Sequence, residues 1–184
     1  MQRTWFIVFV IAFVLRNLAE LRIKPRDTER RAVQRGKVSL QLLSLPFLAS
    51  AIATAFLLWR DGSVNPTLYV LGLVLFAAGF AGRVLALRNL GRSYSFYIDP
   101  APTEALRTRG IYAHIRHPVY AFYLLETLAL AIIRPNLISL ASLVLVALAT
   151  AWRICKEERA LLARYGDEYR EYMKRTTRLL PWIY

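Results

Sequence analysis

Apolar residues gather in five long runs, near Thr4 to Ala19, Val38 to Trp59, Leu68 to Leu87, Val119 to Ile133 and Leu137 to Trp152. Once ragged ends are counted, each run suits a membrane-crossing helix of about 17–25 residues. The pattern predicts an all-α integral membrane protein with five transmembrane helices. Its last two are joined only by Arg134, Pro135 and Asn136 and so form a short helical hairpin. The first run has the look of a secretory signal, but no small-residue cleavage site follows it and Arg16, Asn17 and Glu20 interrupt its end. It reads as a retained anchor.

Polar residues return in bulk between the runs and after the last. The stretch from Gly91 to Tyr120 reads as largely non-helical up to Gly110, because Pro100 and Pro102 block regular structure. From Trp152 to Tyr172 the helix of the fifth run continues out of the membrane, with Glu157, Leu161, Arg164 and Tyr165 at helical spacing. Gly166 is a natural stop, and a short helix from Asp167 to Arg175 follows. No internal repeat is visible. The chain reads as one membrane-embedded domain, with three N-terminal spans in 1–87 and a binding loop, hairpin and C-terminal helices in 88–184.

Composition sharpens this picture. A chain 57% hydrophobic with a net charge of +13 fits a membrane protein whose Lys and Arg flank its spans. Nucleic-acid binding is set aside, since the basic residues sit at the ends of apolar runs and not along one polar face. The positive charges also set orientation. Arg22, Lys24, Arg26, Arg30, Arg31, Arg35 and Lys37 lie between the first two spans, whereas Arg60 is alone in the next loop. Arg88, Arg92, Arg107, Arg109 and Arg116 fill the third loop, Arg134 is alone in the hairpin turn, and eight Lys or Arg follow from Arg153 onward. This alternation places the N-terminus outside, with the long third loop and the C-terminus in the cytoplasm. The lone Cys155 precludes an internal disulfide.

Candidate chemistry concentrates in the two long cytoplasmic stretches. Pro118 suits the first turn of a helix, which puts His117 at or beside the N-cap, where free backbone donors favour an anionic group. The simpler reading makes Arg116 and His117 headgroup contacts and Tyr120 an interfacial aromatic. Arg153 and Glu157, four apart, share a helical face where the fifth span emerges, and their simpler reading is a surface ion pair. Glu126 lies inside the fourth span and must face the bundle, most simply paired with Arg83 or Arg16. His114, His117 and Cys155 match no zinc pattern, and no metal site is expected.

Taken together, GIYAHIRHPVYAFYLL, the short turn at RPN, and WRICKEERALLARYGDEYREYMKRTTRLLP resemble the isoprenylcysteine carboxyl methyltransferase family, in particular its small prokaryotic five-span members. The likeness runs from Leu90 to Pro181, while the first three spans match only in hydrophobicity. It implies S-adenosylmethionine as cofactor, with His117, Pro118, Val119 and Tyr120 at the family's RHPxY segment and Tyr112 at the aromatic position before it. Leu106 stands at an upstream apolar position, between Glu104 and Arg107, where relatives have a segment that begins with His and ends in Leu-Val. By the same resemblance Glu157 binds the cofactor and Arg153 holds the substrate carboxylate. The implied reaction methylates the carboxylate of a lipid-like substrate, by family default a prenylated cysteine, at the cytoplasmic face. Two rivals are an NADPH-dependent membrane sterol or isoprenoid reductase, which shares RHPxY-like and Tyr-Gly elements, and a non-catalytic adaptor that binds membrane lipids. The Lys156-Glu157-Glu158 run favours the methyltransferase. Neither tail length nor oligomeric state is written in the spans.

Overall fold

A computed structural model of the chain describes residues 2–23, 33–61, 64–90 and 106–179. Among these residues the fold is helical throughout: α1 (Gln2–Ile23), α2 (Val33–Asp61), α3 (Pro66–Leu90), a short 3-10 helix (Gly110–Ala113), α4 (Pro118–Ile133), α5 (Leu137–Tyr165) and α6 (Asp167–Arg175). α1, α2 and α3 start two to five residues ahead of their apolar runs, α4 starts one residue ahead and α5 runs past its own, because caps and polar turns set helix ends. Asn65 accepts from the backbone of Thr67 and Leu68 to start α3, and Asn136 accepts from Ser139 N at 2.9 Å to start α5. Gly166, at φ 53°, ends α5 in a conformation that L side chains rarely adopt.

Three stretches, Gln41–Asp61, Pro66–Leu90 and Leu137–Tyr165, are long and apolar enough to cross a membrane. α4 is apolar but only 16 residues long, about 24 Å at 1.5 Å per residue, and α1 carries Arg16 and Glu20 in its second half. The outer surfaces are oily: Leu45, Ile52, Trp59, Val74, Leu137 and Leu148 all point outward. A helix apolar on both its inner and outer faces belongs in lipid. This is an integral membrane protein.

The core forms where Phe9 of α1, Phe47 and Leu58 of α2, Tyr69 and Phe76 of α3 and Leu130 of α4 meet. α3 packs closely on α4 because its contact face is stripped to glycine. A Cβ on Gly72 would lie 2.5 Å from Ile133 Cγ1, and one on Gly79 would lie 3.1 Å from both Glu126 N and Phe122 O. Inside α2, Pro46 removes a backbone donor, and in the same turn the hydroxyl of Tyr123 donates to Leu43 O at 3.1 Å. At one end of the bundle Arg134, in the α4–α5 turn, reaches Asp61 at the end of α2 at 3.2 Å.

Near the other end, four charges meet inside the helices. Glu126 is wholly buried, with Arg16 Nε 2.9 Å from Oε2 and Arg83 Nε 2.8 Å from Oε1. The second contact is close enough for an ion pair but out of line for a hydrogen bond. Glu20 completes a neutral tetrad: Arg16 reaches it at 2.5 Å, and Arg83 grips both its oxygens at 3.1 and 3.0 Å. Pairing of Glu126 with Arg16 or Arg83 was expected, and both occur. Removing one member leaves unmatched charge in a low-dielectric interior. Glu126→Ala is therefore expected to destabilise the protein by about 3–5 kcal/mol, read as a large fall in melting temperature in detergent. Glu126→Gln should fall between the two, because the amide keeps the shape and some of the hydrogen bonding.

Candidate active site

The end of the bundle where α4 begins and α5 runs past it brings together most of the residues singled out in the sequence. His117 is the N-cap of α4 and Pro118 its first helical residue. Backbone geometry holds the turn: His117 O accepts from Tyr120 N and Ala121 N, both at 3.1 Å, while His117 N donates to Arg178 O at 3.0 Å. The ring of His117 is buried. Its Nδ1 lies 3.7 Å from Glu157 Oε2 and its Nε2 3.4 Å from Glu158 Oε1, the latter without hydrogen-bond alignment.

One helical turn along, the hydroxyl of Tyr120 stands between Glu157 and Arg153, donating to Glu157 Oε1 and accepting from Arg153 Nε. Arg153 Nε also lies 3.0 Å from Glu157 Oε1. The pair expected at i, i+4 spacing is present, but it is no surface pair: the Arg153 side chain is 3% exposed and that of Glu157 19%. The result is a buried guanidinium held through its Nε beside a partly exposed carboxylate. Val119 is half-buried in the first turn of α4. Leu106 is half-buried in the irregular stretch before the 3-10 helix, and neither apolar side chain adds a polar contact. Tyr112 is buried and its carbonyl accepts from the Tyr172 hydroxyl at 2.6 Å. Glu104, Pro100 and Pro102 lie outside the described residues. His114 and Cys155 are both exposed, whereas His117 is not, so burial separates the three soft ligands considered for zinc.

Sequence reasoning passed over the layer that covers this end. Arg116, a headgroup contact on the simpler reading, turns inward: its Nε donates to Glu158 Oε1 at 3.0 Å and its guanidinium reaches the carbonyls of Met173 and Thr176 at the end of α6. Residues 176–178 then run alongside 114–117, with Arg116 N donating to Thr177 O at 2.8 Å and Thr177 N to His114 O at 3.1 Å. Tyr169 and Tyr172 of α6 are buried under this layer. The signals were local, namely the second glutamate of the Lys156-Glu157-Glu158 run and the i, i+3 tyrosines of α6, but their partners are more than 40 residues away for Arg116–Glu158 and 60 for Tyr172–Tyr112.

The sequence profile of the phospholipid methyltransferase family matches residues 67–168, more than half the chain. The chain belongs to this family. Every candidate residue from Leu106 to Glu157 falls inside the matched region, and α1, all of α2 and the first residue of α3 fall before it. Among curated relatives of this phospholipid methyltransferase family member, protein-S-isoprenylcysteine O-methyltransferase of Homo sapiens is 30% identical over 132 residues, covering 68% of this chain and 45% of that protein. The protein of the same name from Schizosaccharomyces pombe is 33% identical over 105 residues, 55% of this chain and 44% of that one. Methanethiol S-methyltransferase 1 of Bradyrhizobium diazoefficiens is 30% identical over 82 residues, 45% of this chain and 28% of that protein. The chain spans about half the length of the isoprenylcysteine relatives it matches. In fold it is similar to the eukaryotic intramembrane Ras methyltransferase, isoprenylcysteine carboxyl methyltransferase, with a TM-score of 0.61 at 23% identity over 86% of this chain and 55% of that one. The family resemblance read from the motifs agrees with these relatives.

The covering layer is testable through Tyr172. Burial is the main cause that pushes its phenol up from 10 to about 12, with Arg116 pulling the other way, so the hydroxyl stays protonated and bonded to Tyr112 O at neutral pH. A folded-state value above the unfolded one means that the contribution is complete below pH 10 and is lost as the pH rises through 12. Tyr172→Phe should cost about 1 kcal/mol at neutral pH, and hydrogen exchange at the covering layer should then lose part of its alkaline dependence.

Proposed function

We propose that this protein is a methyltransferase that uses S-adenosylmethionine to methylate the carboxylate of a lipid-like substrate, by family default a prenylated cysteine, at the cytoplasmic membrane face. The observation that carries the reading is the convergence of His117, Tyr120, Arg153 and Glu157 at one end of the bundle, where a helix start and an emerging helix meet. The names of the relatives support the reaction class.

The residues fit the cofactor. His117 Nε2 is buried without a hydrogen-bond partner among the described residues, and the partly exposed Glu157 carboxylate, whose Oε2 lies 3.7 Å from His117 Nδ1, can accept from an ammonium or a ribose hydroxyl. Bound S-adenosylmethionine would supply an electrophilic methyl group on a sulfonium. A carboxylate acceptor is already ionised at neutral pH, so no general base is required of the chain. What the residues contribute is alignment and desolvation. Tyr120 and Glu157 hold Arg153 through Nε and so fix the plane of its guanidinium, which lets a planar carboxylate be met in one orientation. Such positioning is a large source of rate when two reactants must meet in line. Leu106, Tyr112, Pro118 and Val119 complete the cofactor side in this reading, and the lipid tail lies between spans.

Five crossings with the N-terminus outside, and a single domain built across 1–184, belong to the same proposal. α1 crosses with its two interior charges neutralised, α4 and α5 form the short hairpin, and the Arg134–Asp61 contact brings the two weakly charged loops to one end. A reporter fused after Tyr184 should read as cytoplasmic and one at the N-terminus as external. Both ends on the cytoplasmic side would mean that one of the five helices fails to cross.

The methanethiol relative keeps a second acceptor in view, a thiol in place of a carboxylate. A thiol has no use for a guanidinium fork, which makes Arg153 the residue that decides. Arg153→Lys keeps the charge and loses the bidentate geometry, so turnover on a prenylcysteine acid should fall by at least about 100-fold with little change in S-adenosylhomocysteine affinity. Tyr120→Ala and Glu157→Ala should weaken that affinity and turnover together. Titration calorimetry beside a tritiated methyl-transfer assay measures both quantities. Wild-type turnover in Arg153→Lys would sink the carboxylate role, and wild-type protein whose melting is unmoved by millimolar cofactor would sink the assignment as a whole.

A further inference from the structure

Resting on the reading of this end of the bundle as a cofactor site, we propose that Glu158 is a positioning residue, which holds the C-terminal segment 176–178 against the His117 turn and makes that segment a fixed wall of the site. Its carboxylate is buried at 4% exposure and every oxygen is engaged. Oε1 accepts from Arg116 Nε at 3.0 Å and faces His117 Nε2 at 3.4 Å, while Oε2 takes Arg178 through Nε at 3.1 Å and a terminal nitrogen at 3.0 Å. Arg116 and Arg178 are 62 residues apart in sequence, so one α5 side chain ties the lead-in to α4 to the last described segment.

The geometry divides labour between two consecutive glutamates. Adjacent residues on an α-helix point about 100° apart, so Glu157 and Glu158 cannot serve the same contacts. Glu157 faces Tyr120 and Arg153, and Glu158 faces the two arginines of the covering layer. The His117 ring stands between them, with Nδ1 toward Glu157 and Nε2 toward Glu158. The turn that carries this ring is itself bonded to the segment that Glu158 retains, through His117 N to Arg178 O and Arg116 N to Thr177 O. Loss of the carboxylate leaves two guanidiniums side by side without the group that holds both. The segment then lifts, and His117 and Tyr120 lose their fixed height against Glu157. Cofactor binding falls although no residue assigned to cofactor contact has changed.

The test uses the full chain purified in detergent, as wild type, Glu158→Gln, Glu158→Asp and Arg178→Ala. Tyr169→Phe serves as a control within the same layer, because its buried hydroxyl has no hydrogen-bond partner among the described residues. In ligand-free protein, amide exchange at Arg116, His117 and Thr177 should quicken in Glu158→Gln and stay at wild-type rates in Tyr169→Phe. The Kd for S-adenosylhomocysteine should rise by about tenfold or more in Glu158→Gln and by less in Arg178→Ala, with Glu158→Asp between Gln and wild type. The KM for the acceptor should move by less than about threefold, which separates a shifted cofactor wall from general damage. Glu158→Gln protein with a lowered melting temperature but a wild-type Kd would reduce Glu158 to a packing role and overturn the proposal. Should Glu158→Gln fail to fold, an unchanged Kd in Arg178→Ala overturns it equally. If wild-type protein does not bind S-adenosylhomocysteine, the cofactor reading falls, and the exchange rates of the ligand-free variants still decide whether Glu158 holds the segment.

Discussion

Charge inside this bundle has to be answered by charge, and most of the architecture follows from where the answers come from. In a low-dielectric interior a lone guanidinium or carboxylate costs several kcal/mol, whereas a matched and hydrogen-bonded set is tolerated. Arg16, Glu20, Arg83 and Glu126 form one such set across α1, α3 and α4. Arg153 and Glu157 form a second with the Tyr120 hydroxyl, and Glu158 a third with Arg116 and Arg178. Helices bearing these residues cannot slide or rotate freely, since any shift of register would strand a charge. The glycine face of α3 reinforces the same registration by allowing only one close seat for α4.

The second and third sets are stacked on α5 and serve different ends. In the proposed site Glu157 and its partners face the cofactor, and Glu158 ties Arg116 to Arg178 behind them. This arrangement carries the Tyr120, Arg153 and Glu157 contacts on helices and fixes the short segment 176–178 against them through contacts to Glu158 and to residues 114–117. Sites built on helix faces hold their geometry more closely than sites on loops.

Much of this was legible in the residues, and the reasons are physical. Gly166 announced the end of α5 and the start of α6, because a glycine after a periodic run supplies the backbone conformation that ends a helix. Pro118 placed His117 at an N-cap for the mirror-image reason at a helix start. Glu126 declared a need for Arg16 or Arg83 merely by sitting in an apolar run. Glu20 as the fourth member, Glu158 as the tie between distant arginines, and the pairing of 176–178 with 114–117 were not legible. Each is a contact between segments far apart in the chain, and neither periodicity nor capping carries information about such neighbours. Glu158 was hidden further by Glu157, whose i, i+4 relation to Arg153 offered a complete local account of the acidic run.

The neutral tetrad also draws a boundary between parts of the molecule that can be exchanged and parts that cannot. Arg83 and Glu126 lie inside the region that matches the family profile, and Arg16 and Glu20 lie on α1, outside it. The helix that looks most like a generic anchor therefore carries half of an electrostatic key, one cation and one anion a turn apart, cut to fit a lock on α3 and α4. For anyone building chimeras within the family, α1 is transferable only with that pair in place. An anchor of plain leucines would leave Arg83 and Glu126 with only each other, in contact at 2.8 Å but out of line for a hydrogen bond.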